Sequence, residues 1–164
     1  MDGSNLPFHR QPSTVAVNQR IVIDFFSKDE EKRIVQAIQE AERLTSGEIR
    51  VHLEQDYEGS ILGAASRTFF ALNMDRTKDR NAVLIFISPP RKDFAIFGDK
   101  GINAVVPPNF WEETKNVMQQ NFRQSMFAEG VCQGVKMAGE KLQAYFPWTR
   151  EDKNELSDEI SYGR

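Results

Sequence analysis

Apolar and polar positions change period along this chain, and each change marks an element. Ile34, Val35, Ile38, Ala41 and Leu44 recur at helical spacing after Ser27-Lys28-Asp29-Glu30, a capping-box pattern. The spacing predicts a helix over about 28–44, closed by the turn Thr45-Ser46-Gly47. Glu48 to Leu53 then alternates: Ile49, Val51 and Leu53 share one face, while Glu48, Arg50, His52 and Glu54 share the other. That is a half-buried strand at an edge or only partly covered by helices. A second helix is predicted over about 60–74, with Ile61, Leu62, Ala65, Phe69 and Leu72 as its apolar face. Ala82 to Ile87 is apolar at every position, as in a strand buried on both faces. Ser88-Pro89-Pro90-Arg91-Lys92 turns the chain, and Asp93 to Gly98 reads as an antiparallel partner. Two more helices follow. One is capped by Asn109 and carries Phe110, Trp111, Val117, Met118 and Phe122; the other, about 126–146, carries Val131, Cys132, Val135, Ala138 and Leu142. Gly130 and Gly134 lie one turn apart on the last helix, where each costs about 1 kcal/mol against alanine and points to close helix approach.

This order gives an α/β sandwich, a small mixed sheet with helices on both faces. Residues 20–147 form the domain, with 20–26 docking as an extra strand; 1–19 read as a flexible N-terminal arm and 148–164 as a frayed, polar C-terminal tail. A length of 164 residues suits one domain with a proper core. The net charge of −3 gives no electrostatic case for nucleic acid. No apolar run approaches the roughly 20 residues of a membrane span, and Met1 to Pro12 lacks the apolar region of a secretory signal. A cytoplasmic location is the expectation, and a single cysteine, Cys132, suits a reducing compartment.

Topology suggests where chemistry would sit. A helix between the first two strands makes them parallel, and the hairpin reverses the third. The starts of strands one and two and the end of strand three then share an edge. Glu48, Asp75, Asp79 and Asp99 meet there, with Asn81, Asn103, Arg80 and Lys100 beside them. Hard oxygen ligands in loops suit Ca²⁺ or Mg²⁺. The competing reading is that these are solvated loop and cap residues whose charge is used in local ion pairs. The chain has only two histidines, His9 and His52, too few N/S ligands for zinc. His52 is placed on the polar strand face beside a carboxylate, and a serine triad through it lacks a nucleophile elbow.

Thr45 to Val51, Asp79 to Phe86 and Arg91 to Asn103 resemble the successive motifs of the TPM domain, and Phe122-Arg123 with the Gly130/Gly134 helix resembles its C-terminal segment. The similarity spans about residues 26–146. It implies a Rossmann-like αβα sandwich. Plant lumenal members of the family are described as calcium-binding acid phosphatases, bacterial members as divalent-cation binders without clear phosphatase activity. The chain departs from the family pattern at Asp79-Arg80-Asn81-Ala82, usually Asn-Asn-Gly or Asp-Asn-Gly. It departs again at Gly98 to Asn103, usually Gly-Tyr-Gly-Leu-Glu. Arg80 and Lys100 add positive charge that would hold a phosphate or weaken a metal. The resemblance is best with a soluble bacterial branch. The function expected is a Ca²⁺- or Mg²⁺-binding module with no strong enzymatic activity, ligated by Glu48, Asp75, Asp79 and Asp99. The alternatives are a weak metal-assisted phosphatase of phosphomonoesters and a protein-interaction domain with an unidentified partner.

Overall fold

The computed structural model describes residues 22–150 and 155–163. Its helices are α1 (Lys28–Ala41), α2 (Ile61–Ala71), the single-turn α3 (Lys100–Asn103), α4 (Glu112–Arg123) and α5 (Phe127–Gln143). Its strands are β1 (Glu48–Leu53), β2 (Ala82–Ser88), β3 (Asp93–Gly98) and the two-residue β4 (Ser161–Tyr162). A 3-10 turn, Met74–Arg76, follows α2.

The strands form one sheet in the order β3-β2-β1-β4, with β1 parallel to β2 and to β4 and β2 antiparallel to β3. Every residue of β2 is buried, as its uniform apolar run requires of a central strand. Registering Glu48 with Ala82 and Leu53 with Ile87 puts Ile49, Val51 and Leu53 on the same face as Val83, Ile85 and Ile87. α1, α4 and α5 cover that face. On the other face, Ala64, Ala65 and Phe69 of α2 pack on Ala82, Leu84 and Phe86. Helices therefore lie on both sides of a mixed sheet, the α/β sandwich that the pattern predicts. No helix among the described residues is long and apolar enough to cross a membrane.

Some local expectations are corrected. Residues 22–26 form turns instead of a strand, yet Val22 and Phe26 are buried in the core; Arg20 and Ile21 lie outside the described residues. The expected arm, 1–19, lies outside them as well. Ser27 and Glu30 do form the capping box of α1. α2 stops at Ala71, and Leu62 is exposed where Ala64 is buried, because α2 leans toward β2 and β3. Asn109 does not cap α4: it takes a left-handed φ of 64°, and the helix begins three residues later.

The last segment is the largest departure. Residues 155–163, read as part of a frayed tail, return to the sheet and add β4 beside β1. Ile160 is buried in the main core, and Leu156 packs beside the α2 cluster. Leu156, Ile160 and Tyr162 supply its apolar contacts.

Close helix approach explains the glycines of α5. A Cβ at Gly130 would lie 2.7 Å from the ring of Phe122, and one at Gly139 would lie 2.7 Å from Ala41 Cβ and 3.0 Å from its Cα. The neighbour at Gly139 includes backbone and cannot rotate away. Gly139→Val should cost about 1–3 kcal/mol by overpacking, seen as a lower urea midpoint; an unchanged midpoint would show that α1 and α5 are free to separate.

Candidate functional site

The edge that topology assigns is built, and its centre is Asp99. This residue directly follows β3, and its side chain accepts the Lys100 N–H at 2.7 Å, capping α3. It is only 3% exposed. A carboxylate withdrawn from water needs a cation or several N–H donors. Arg80 supplies the cation: Nε donates to Oδ2 at 2.7 Å and Nη2 to Oδ1 at 2.8 Å, a bidentate pair. That hydrogen bonding raises the Arg80 pKa above its ordinary value, and the charge of Asp75 adds to the effect.

Local backbone geometry delivers Arg80 to this position. Its φ is 50°, in the left-handed region. The Arg80 carbonyl accepts the Gly101 N–H at 2.9 Å. A Cβ at residue 101 would lie 2.3 Å from the Asp79 carbonyl oxygen and 2.5 Å from that of Arg80. Only glycine lets the two loops touch. Asn81, though buried, spends its groups on the scaffold. Its side-chain amide donates to Ser46 Oγ, its N–H to Thr77 Oγ1, and its carbonyl accepts the Glu48 N–H. The Asn103 amide donates to the Gly98 carbonyl at 3.1 Å. Asp79 and Lys100 are exposed, and Asp75 is half-buried.

Glu48 has a different neighbourhood. It is buried, and its Oε1 accepts the Leu156 N–H at 3.2 Å. Burial pushes its pKa up to about 7; N–H groups of Glu155 and Leu156 pull it down, while the charges of Glu155 and Asp158 push it up. Glu42, at the end of α1, is pushed up to about 10 by burial and by a hydrogen bond to Asp158. The C-terminal segment thus creates a second acidic group of Glu42, Glu48, Glu155 and Asp158. The alternation of β1 indicated Glu48 alone; the other three depend on the return of 155–163.

The polar row of β1 ends in His52, which is buried and stacks on Phe86 at 5.4 Å. It lies beside a carboxylate as anticipated, Nε2 being 3.0 Å from Glu54 Oε1, with Nδ1 2.7 Å from Ser161 Oγ. Burial lowers its pKa, against the opposing pull of Glu54. Ser161, His52 and Glu54 have the outline of a nucleophilic relay. However, the nearby Gly163 N–H is spent on the Leu53 carbonyl and does not await an oxyanion. The row reads as a latch between β1 and the C-terminal segment.

With this geometry, comparison with known proteins becomes specific. The sequence profile of the TPM domain matches residues 22–141. The chain belongs to the TPM domain family. The NMR structure of the BA42 protein from the psychrophilic bacterium Bizionia argentinensis is 47% identical, with a TM-score of 0.81 over 85% of this chain and 97% of that one. Two further solution structures share the fold alone. The N-terminal domain of the cg2496 protein from Corynebacterium glutamicum has 12% identity and a TM-score of 0.56, over 82% of this chain and 79% of its own. The N-terminal domain of a P. gingivalis protein has 14% identity and a TM-score of 0.60, over 89% and 94%. Among curated proteins, none matches the chain.

A resident divalent ion, as the resemblance implies for the TPM domain, would need several converging oxygen donors. Among the described residues, no three His, Cys, Asp or Glu side chains are placed to hold one. Asp99 already has a cation, and Glu48 belongs to the other acidic group. The residues therefore do not fit a preformed cage. They form an acidic edge carrying its own guanidinium. Gly101→Ala should force the Asp79–Arg80 loop away from α3 and cost about 1–3 kcal/mol. Amide spectra should shift at 79–81 and 99–103; unshifted signals there would contradict the close approach.

Proposed function

We propose that this TPM domain is a weak divalent-cation-binding module without strong enzymatic activity, in which an incoming Ca²⁺ or Mg²⁺ competes with Arg80 for the acidic edge. The observation that supports this reading is the bidentate Arg80–Asp99 pair, flanked by the charge of Asp75. A buried carboxylate that requires a cation, on a loop edge beside half-buried Asp75 and exposed Asp79, offers hard oxygens to an ion. The ion must first take Asp99 from the guanidinium. Glu48 is not part of this set.

The phosphatase alternative asks Arg80 or Lys100 to hold a phosphate. Arg80 is spent on Asp99, which leaves exposed Lys100 as the remaining cation of the pair. The edge also lies where the parallel strands begin, whereas ligand sites of open α/β sheets usually lie at the carboxyl ends. Both points favour binding over turnover.

Few ligands in loops give modest affinity, with a Kd on the order of 10⁻⁵–10⁻³ M. Calcium titration followed by amide NMR should shift residues 75–81 and 99–103. Arg80→Gln removes the competitor and should tighten binding about tenfold. Silence of these amides at millimolar calcium, or weaker binding by the variant, would refute the proposal.

A further inference from the structure

Arg33 pairs with Glu129 at 2.8 Å, and Ala41 meets Gly139, so α1 and α5 run side by side in the same direction. Along them lies a cavity of about 840 Å³, open to solvent. Ala37, Leu44, Val117, Cys132 and Met137 line it with apolar, half-buried side chains. Gln36, Glu40, Lys136 and Glu140 stand exposed around them. At the rise of an α-helix, the stretch from Arg33 to Leu44 makes this groove about 16 Å long. About five residues of extended chain span that length.

The described chain begins beside one end of the groove. The Phe25 ring packs on that of Phe127, the first residue of α5, at 5.2 Å, and the Phe25 N–H returns to the Val22 carbonyl. Glu129, two residues after Phe127, already lines the groove. Twenty-one residues precede Val22. They include Thr14-Val15-Ala16-Val17-Asn18, in which two β-branched apolar side chains share one face of an extended chain. Residues 19–21 reach about 10 Å, enough to bring Asn18 from Val22 to the Glu129 end.

Charge agrees with this placement. The groove is lined by three acids, Glu40, Glu129 and Glu140, against two cations, Arg33 and Lys136. Glu129 is already met by Arg33, so the surplus negative charge lies at the far end, with Glu40 and Glu140. The preceding segment has the opposite sign. Its charged side chains are Asp2, Arg10 and Arg20, in a chain whose net charge is −3. A segment that enters at Glu129 and runs toward Leu44 carries Arg10 past Thr14 to that acidic end.

We propose that residues 14–18 of this chain lie extended in the groove between α1 and α5, with Val15 and Val17 on its apolar floor.

In this arrangement Val15 faces Leu44 and Met137, and Val17 faces Ala37 and Cys132. Burial of the two valines drives the docking, since each removes apolar surface from water on both sides of the contact. The segment then covers the thiol of Cys132, the chain's single cysteine.

Methyl NOE spectra and thiol labelling of the full chain test the contact. The Val15 and Val17 methyls should show NOEs to those of Leu44 and Met137. Val15→Asp together with Val17→Asp should speed the reaction of Cys132 with an aromatic disulfide reagent at least about fivefold, because the rate follows the undocked fraction. The amides of Val83 and Ile85 should keep their shifts, which shows that the variant is folded. Missing NOEs, or equal thiol rates in the two proteins, would overturn the proposal. NOEs seen only between differently labelled chains of a mixed sample would overturn it too, because a second copy would then fill the groove.

Discussion

Asp99 is a carboxylate buried at the end of a strand, and the arrangement of the candidate edge follows from what it needs. A negative charge there must be met by donors or by a cation. The Lys100 N–H meets one oxygen, which also starts α3, and Arg80 meets both. Bringing Arg80 to that place requires a left-handed backbone at residue 80 and a glycine at 101. One electrostatic requirement thus explains a helix cap, a strained φ and a residue without a side chain.

The same sheet carries a second acidic group with a different solution. Glu42 and Glu48 have no guanidinium among the groups that shift them, and burial moves their pKa values upward. The cause is the outer side of β1. α2 leans toward β2 and β3, leaving the polar row Glu48, Arg50 and His52 without a helix over it. The C-terminal segment takes that place with few apolar contacts and several polar ones. An ion-paired site and a group of buried carboxyls with raised pKa values therefore lie at different parts of one sheet.

Much of this was legible in the residues. Strict alternation in β1 and the unbroken apolar run of β2 set the sheet, and the capping box at Ser27 set the start of α1. The shared edge followed from connection geometry. What the residues could not show was pairing within that edge. Asp99 and Arg80 are 19 positions apart, and nothing local indicates that a positive φ turns one toward the other. Leu62 and Ala64 on α2 could not be ranked, because burial depends on which strands the helix leans over. The C-terminal segment was the hardest: Leu156, Ile160 and Tyr162 are sparse apolar positions among charges, and their docking depends on an unpaired strand edge formed more than 100 residues earlier.

The central claim is that the acidic edge is held by an intramolecular cation that a divalent ion must displace. The Nε–H resonance of Arg80 reports this directly. In the free protein it should be protected and shifted by its bond to Asp99. During a calcium titration it should lose that protection in step with the amide shifts at 75–81 and 99–103. An Arg80 signal that stays protected while those amides saturate would contradict the account.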